Sequence, residues 1–188
     1  MNLYLLRHIQ TIAPQGLCYG QTDVPLIADY AQHHAHIKQQ LPQIEHIYSS
    51  PQSRCLQLAK DIQTKQKLTI DPRLQELNFG QWENHLFNDI DKTTLQTWTD
   101  NYQTQAPPNG ESFQQLQQRT QQFWQTIQSN PHDSLIVTHA GVIRALLAII
   151  LEIPTNKVFN FKVNHASLHH FKTHSTWSEL IYWNRLLL

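Results

Sequence analysis

The chain has 188 residues, a length typical of one domain that buries a substantial hydrophobic core. Lys and Arg together number 14, as do Asp and Glu, so the net charge is zero. Nonspecific electrostatic binding to nucleic acid is therefore disfavoured. The mean hydropathy of −0.48 is typical of a folded, water-soluble chain. The longest apolar run, residues 142–151, is interrupted by Arg144 and too short to cross a bilayer, so no membrane partner is predicted.

The cysteine content and the N-terminal residues predict the cellular compartment of the protein. Cys18 and Cys55 are too few for a disulfide framework or a Cys-based zinc site. The first residues lack the basic segment and cleavage site of a secretory signal. We therefore expect a reduced, cytoplasmic protein with a single domain over residues 1–188, and make no prediction of oligomeric state. The 24 glutamines are interpreted as a surface bias that lowers the charged fraction to 15%.

Short apolar runs alternate with helical segments in the first part of the chain. Residues 3–6 are predicted to form a buried strand, and residues 44–48 and 68–71 are predicted to form two further short strands. Residues 29–41 have helical composition, and Ser49-Ser50-Pro51 predicts the start of a second helix with Pro in its first turn. Residues 72–110 show a less regular pattern.

The remaining elements complete an α/β pattern. Ser112 and Gln115 form a capping-box pattern before a helix with an apolar stripe. Residues 135–138 predict a strand covered on both faces, followed by a helix over 141–151. Weaker strand patterns lie near 166–172 and 179–184. Together these elements predict an α/β fold of three layers, α/β/α, in which helices cover both faces of a mostly parallel central sheet.

Basic side chains and histidines follow the predicted strands. His8 and His139 each end a strand, and ligands of open α/β sheets bind beyond the carboxyl ends of the strands. Arg7 precedes His8, Arg54 lies at the start of the helix after the second strand, and Ala140 opens a helix whose free N–H groups favour an anion. Guanidinium groups bind phosphate oxygens in pairs, so the pattern predicts a phosphoryl site.

Five segments resemble, in order, motifs of the histidine phosphatase superfamily, the phosphoglycerate mutase-like group. They are Leu-Leu-Arg-His at 5–8, Ser-Ser-Pro-Gln-Ser-Arg-Cys at 49–55, Glu-Leu-Asn-Phe-Gly-Gln-Trp-Glu at 76–83, Asn-Gly-Glu-Ser at 109–112 and Thr-His-Ala-Gly at 138–141. One Arg-His pair is a weak signal, whereas five motifs in family order are specific.

This resemblance implies a role for each motif residue. His8 is expected to be the nucleophile that becomes a phosphohistidine, while Arg7, Arg54 and His139 bind the phosphoryl oxygens. Glu76 is expected to protonate the leaving oxygen as a general acid and then to activate water as a base. No metal or other cofactor is implied, because the arginines neutralise the charge of the phosphoryl group.

The loop after the expected nucleophile departs from the family pattern. Ile9 replaces the family Gly, Gln10 a Glu and Pro14 an Asn, whereas Thr11 matches the usual Thr or Ser. Because a β-branched residue does not adopt positive φ cheaply, Ile9 either has an ordinary backbone conformation or distorts the site. Ile9 is also the feature that favours a catalytically degenerate phosphate-binding module as an alternative.

The resemblance extends to a substrate. Segments 16–26, 71–77 and 79–83 are similar to those of α-ribazole phosphatases, which implies hydrolysis of α-ribazole 5′-phosphate in assembly of the cobalamin nucleotide loop. Thr11, Gly20, Gln21 and Ala140 are then expected to contact this small phosphomonoester. The alternatives are a broad-specificity phosphatase of sugar or nucleotide phosphates and a phosphoglycerate mutase-like enzyme, although mutases of the family are usually longer.

Other histidines and two tryptophans are assigned no catalytic role. Histidines at 33, 34, 36, 165, 169, 170 and 174 are interpreted as solvated or packed rather than metal-binding. Trp82 and Trp98 flank the variable middle segment and are candidates for lining the substrate mouth.

Overall fold

The computed structural model describes residues 1–188 and contains six strands and five α-helices. The strands are β1 (Asn2–Arg7), β2 (His46–Ser49), β3 (Lys67–Ile70), β4 (Ser134–Thr138), β5 (Ser167–Thr173) and β6 (Ser178–Leu186). The helices are α1 (Tyr30–Gln40), α2 (Ser53–Ile62), α3 (Lys92–Asn101), α4 (Phe113–Ile127) and α5 (Ala140–Leu151). Short 3₁₀ turns cover Pro72–Leu74, Gly80–Trp82, Phe87–Asp89 and Thr155–Asn160.

All six strands belong to one sheet, in the order β3-β2-β4-β1-β5-β6. The first four in this order pair in parallel, whereas β5 runs antiparallel to both β1 and β6. Successive side chains of β1 face opposite sides of the sheet. Leu3 and Leu5 pack with α4 and α5, and Tyr4 and Leu6 pack with α1 and α2. The predicted three-layer α/β/α fold with a mostly parallel sheet is confirmed.

Two local features differ from the sequence-based predictions. Helix α2 begins at Ser53, later than Ser49-Ser50-Pro51 suggested, because Gln52 has an extended backbone (ψ 136°) and Asp23 caps the helix by accepting from the Ser53 N–H at 3.0 Å. Helix α3 lies within residues 72–110, where no helix was predicted. None of its residues is buried, so it has no apolar stripe that a periodicity search would detect.

The two helices that flank the carboxyl end of β4 match their predicted patterns. The Ser112 hydroxyl accepts from the Gln115 N–H, and the Gln115 side chain accepts from the Ser112 N–H, so the capping box of α4 is confirmed. Helix α5 follows β4 directly and is largely buried. Neither it nor any other helix of the structure is both long enough and apolar enough to traverse a bilayer.

His169 is a packed histidine in β5. Its Nδ1 accepts from the Asn184 N–H at 3.1 Å, and its Nε2 lies 3.1 Å from the Ser167 hydroxyl. Burial and, as the smaller cause, the positive charge of Arg144 lower the pKa of His169 from 6.5 to about 3. The folded protein therefore holds this imidazole in its neutral form.

The buried imidazole makes stability depend on pH. Below pH 6.5 the unfolded chain protonates His169 while the folded protein does not, so the free energy of unfolding falls as pH decreases from 6.5 toward 3, by up to ~1.4 kcal/mol per pH unit for this group. Replacing His169→Gln should make the slope of the free energy of unfolding against pH shallower. This slope is measured by urea unfolding at a series of pH values between 7 and 4. Exposed His174→Gln is the matched control, and equal slopes for wild type and His169→Gln would contradict the assignment.

Candidate active site

The carboxyl ends of three neighbouring parallel strands bring the motif residues together. Strand β1 ends at Arg7 and His8, β2 leads into the loop before Arg54, and β4 ends at His139. A cleft of about 140 Å³ opens at this edge of the sheet. Its walls are formed by Arg7, His8, Leu17, Tyr19, Arg54, Glu76, Phe79, Phe87 and His139. All five residues predicted to be catalytic therefore line one cleft.

His8 is buried and held in one tautomer. Its Nδ1 lies 2.6 Å from the carbonyl oxygen of Ile9, which only accepts, so Nδ1 carries the proton and Nε2 has a free lone pair. Burial lowers the pKa of His8 well below 6.5, and the charges of Arg7 and Arg54 lower it further. The result is an imidazole kept neutral beside two guanidinium groups.

The two guanidinium groups in the cleft are held by carbonyl oxygens. Arg7 donates to the Val163 carbonyl at 2.7 Å and to Nε2 of His165 at 2.9 Å. The Arg7 bond uses the His165 lone pair, and burial together with the nearby cations lowers the pKa of His165 to about 4. His165 lies 5.4 Å from His8, measured between ring centroids, and was not predicted as a site residue because no motif contains it.

Arg54 is almost completely buried yet has no close carboxylate. It donates to the carbonyls of Gly20 at 2.6 Å and Thr22 at 2.9 Å, and its guanidinium carbon lies 5.3 Å from the centroid of the Tyr19 ring. Asp23 approaches to 3.9 Å, beyond hydrogen-bonding distance, and is engaged in capping α2. The guanidinium group of Arg54 is therefore available to bind an anion in the cleft.

His139 faces His8 across the cleft, with ring centroids 5.2 Å apart. Its Nε2 lies 2.9 Å from the Ser50 hydroxyl and 3.4 Å from the Cys55 sulfur. Burial lowers the pKa of His139 well below 6.5, and Arg54 and Arg7 add to the effect. Burial also raises the pKa of the Cys55 thiol, so this cysteine remains a packed thiol beside the imidazole.

Glu76 lies opposite the basic residues, against the first turn of α5. Its Oε1 accepts from the Leu77 N–H at 2.9 Å, and its Oε2 accepts from the Gly141 N–H at 3.1 Å. The helix N-terminus that the sequence predicted as an anion site therefore holds this carboxylate. A Cβ on Gly141 would collide with Glu76 Oε1, so glycine is what permits the approach.

Gln52 connects the two sides of the cleft. Its amide nitrogen donates to the Gly20 carbonyl at 2.7 Å, the same oxygen that Arg54 binds. Its amide oxygen accepts from the Glu76 N–H at 3.0 Å. Gln52 lies within a recognised motif, but sequence reasoning assigned it no role, because only the fold shows that its side chain spans these two segments.

A second cavity of about 120 Å³ adjoins the cleft and shares Glu76 and Phe79 with it. Its other walls are Leu77, Trp98, Tyr102, Phe113, Leu116, Ala140, Gly141, Arg144 and Phe159. Trp98 thus borders a cavity next to Glu76, as considered for a substrate mouth. Trp82 is buried behind it, with ring centroids 5.6 Å apart.

The residues expected to contact substrate occupy different places. Ala140 lines the second cavity. The Gly20 carbonyl supports Arg54 and Gln52, and a Cβ at this position would collide with the Leu77 carbonyl oxygen. The Gln21 side chain donates to the Glu76 carbonyl at 3.2 Å, and the Thr11 hydroxyl donates to the Tyr19 hydroxyl at 3.1 Å. The residues Gly20, Gln21 and Thr11 therefore do not line the cleft. They contact residues that do.

The substitution at Ile9 is accommodated by the core. The positive-φ residues of the chain do not include Ile9, and its side chain is fully buried among Ile37, Leu58 and other apolar residues. Its carbonyl orients His8. Of the two alternatives for Ile9, the structure therefore shows the ordinary backbone conformation.

The remaining histidines make separate contacts. His34 lies 2.8 Å from the Asp61 carboxylate, and His170 lies 3.0 Å from the Asn2 side chain. No group of three or more His, Cys, Asp or Glu side chains is arranged to hold a metal ion.

Comparisons with known proteins agree with this geometry. The family model described as histidine phosphatase superfamily (branch 1) matches residues 3–185. The adenosylcobalamin/α-ribazole phosphatase of Escherichia coli K12 is 28% identical over 174 residues, which cover 87% of this chain and 86% of that protein.

Two solved structures have the same fold. The α-ribazole phosphatase of Shigella flexneri superposes with a TM-score of 0.90 at 26% identity, covering 98% of this chain and 96% of that chain. A mycobacterial glucosyl-3-phosphoglycerate phosphatase, solved with inorganic phosphate, superposes with a TM-score of 0.87 at 25% identity, covering 99% and 98%. With the family model spanning nearly its whole length, the chain belongs to the histidine phosphatase superfamily and is a phosphoric monoester hydrolase.

Proposed function

We propose that this protein hydrolyses phosphomonoesters through a phosphohistidine formed on His8. The observation that carries the proposal is the hydrogen bond from Nδ1 of His8 to the Ile9 carbonyl, which leaves the Nε2 lone pair free. Arg7, Arg54 and His139 line the same cleft, where their donor groups would surround the phosphoryl oxygens. Phosphoryl transfer depends mainly on such alignment and charge stabilisation.

In the first step, Nε2 of His8 attacks phosphorus and the bond from phosphorus to the ester oxygen breaks. The leaving oxygen takes up the proton carried by Glu76, so an alcohol departs and the phosphoryl group remains on His8. Glu76 lines the wall of the cleft that adjoins the second cavity, where the alcohol part of the ester would lie.

In the second step, water attacks the phosphorus of the phosphohistidine. Glu76, now ionised, takes a proton from this water, the phosphorus–nitrogen bond breaks, and inorganic phosphate leaves. One carboxyl group thus acts as an acid and then as a base, which restores the starting state of the enzyme.

α-Ribazole 5′-phosphate is one candidate substrate. It is supported by the resemblance of three sequence segments and by relatives named as α-ribazole phosphatases at 28% and 26% identity. Its leaving alcohol is a nucleoside-sized group without a negative charge, and the aromatic walls of the second cavity suit an apolar ring.

A second candidate is a small phosphate ester that carries a carboxylate. The relative named for a glucosyl-3-phosphoglycerate, a substrate with a carboxylate, is similar to the same extent. Arg144, in the cavity beside Glu76, is the specific observation that favours this candidate.

The roles of His8 and Glu76 predict a trapped intermediate. With 2,4-dinitrophenyl phosphate, whose leaving group needs no proton, Glu76→Gln should form the phosphoenzyme but hydrolyse it ~10²–10⁴-fold more slowly than wild type. Rapid quenching should recover an acid-labile, base-stable phosphohistidine. His8→Ala should form none, and the exposed control His36→Ala should behave as wild type. A phosphoenzyme that persists in His8→Ala would refute the assignment of the nucleophile.

The contact between Gly141 and Glu76 predicts a loss that depends on the leaving group. Gly141→Ala should displace the Glu76 carboxylate and lower kcat/KM for phenyl phosphate, which reports the phosphorylation of His8, by roughly 10–100-fold, because a displaced general acid protonates the leaving phenoxide poorly. The loss with 2,4-dinitrophenyl phosphate should be much smaller and serves as the internal control. Equal losses with both esters would show that the substitution acts elsewhere.

A further inference from the structure

Arg144 is a guanidinium group that the phosphoryl site does not use. It lies in the first turns of α5, on the same face as Gly141 one turn earlier, and it is the only basic residue in the wall of the second cavity. The phosphoryl cleft is lined by Arg7 and Arg54 instead. Since Glu76 lies between the two cavities, Arg144 is on the leaving-group side of the general acid.

No carboxylate of the protein lies within ion-pairing distance of this cation. Arg144 takes part in none of the ion pairs or side-chain hydrogen bonds of the structure, and its Nε is buried without a partner. The carboxylate of Glu76 is bound by the amides of Leu77 and Gly141, not by Arg144. Its one specific contact is with the ring of Phe159, whose centroid lies 4.9 Å from the guanidinium carbon.

A largely buried arginine without a counter-ion is costly to keep. Burial lowers the pKa of Arg144, although the charge of Glu76 opposes this effect. Buried charges in proteins are normally paired or hydrogen-bonded, and an arginine that only supports the fold usually donates to carbonyls or carboxylates. Because the N–H groups of Arg144 have no acceptor in the protein, we infer that an anionic group of the substrate is their partner.

We propose that Arg144 binds a carboxylate on the leaving group, so that the preferred substrates are small phosphomonoesters that carry this second anion. The inference rests on the proposed phosphatase function and specifies its substrate class. The planar guanidinium pairs well with a carboxylate, and the surrounding aromatic walls strengthen the pair by excluding water.

The volume of the second cavity also favours a small leaving group. Its volume is about 120 Å³, whereas sites for drug-sized ligands enclose roughly 300–1,000 Å³. A leaving group of a few carbon atoms with a carboxylate fits this space. The nucleoside-sized leaving group of α-ribazole 5′-phosphate could place only its apolar ring there and would leave Arg144 without an anion.

Matched pairs of esters test the proposal. The pairs are 3-phosphoglycerate with glycerol 3-phosphate, phosphoserine with phosphoethanolamine, and 4-carboxyphenyl phosphate with phenyl phosphate, and in each pair the second member lacks the carboxylate. Wild type should prefer the carboxylate member of at least one pair by roughly 10–100-fold in kcat/KM, as expected for a charge-assisted hydrogen bond. Arg144→Met should abolish most of that preference, and Arg144→Lys should restore part of it.

Control variants distinguish a failure of the proposed carboxylate subsite from a failure of the proposed phosphatase function. Arg185→Met removes an exposed arginine that also stacks on an aromatic ring, that of Tyr182, and should keep the wild-type preference. The carboxylate subsite is overturned by His8-dependent hydrolysis that shows no preference in any pair. A preference that survives Arg144→Met, or a higher kcat/KM for α-ribazole 5′-phosphate than for every carboxylate ester, would overturn it as well. An absence of His8-dependent turnover with every ester, 2,4-dinitrophenyl phosphate included, would instead refute the phosphatase function.

Discussion

The arrangement of the site depends on guanidinium groups that are buried without carboxylate partners. Arg7 and Arg54 are held by backbone carbonyls, which fix the side chains but leave their charge uncompensated. Arg73 and Arg119, by contrast, bind Asp71 at 2.6 Å and Glu111 at 2.7 Å. A balanced net charge over the whole chain therefore coexists with a cleft in which two arginines face the single carboxylate of Glu76.

The same positive charge determines the state of the histidines. His8, His139 and His165 lie close together beside two cations, and burial and these cations lower the pKa of each. A neutral imidazole is the form that can attack phosphorus, so under the proposed mechanism the charges that attract a phosphate would also keep His8 reactive. A dianionic phosphoryl group in the cleft would reduce the repulsion between these cations.

The sequence was sufficient to predict the strands, the capping box of α4 and the convergence of His8 and His139, because each rests on local patterns and on the geometry of parallel sheets. The start of α2 was misjudged because Gln52 takes part in contacts with Gly20 and Glu76 that no local pattern encodes. His165 and Arg144 were missed as site residues for a similar reason. Arg144 was treated only as an interruption of an apolar run, and its cavity is assembled from segments that are distant in sequence.

The division of the site at Glu76 explains why similar relatives are named for different substrates. On the phosphoryl side, the five residues predicted to be catalytic lie in motifs that the resemblance recognised, and chemistry common to all phosphomonoesters would constrain them. The leaving-group side also includes Trp98, Arg144 and Phe159, which lie outside those motifs in α3, α5 and the turn after it. A relative at 25–28% identity can therefore share the reaction while differing in the alcohol it releases. Under the proposed function, the charge and volume of the second cavity set the substrate preference of this chain, and its single cation would favour an anionic leaving group.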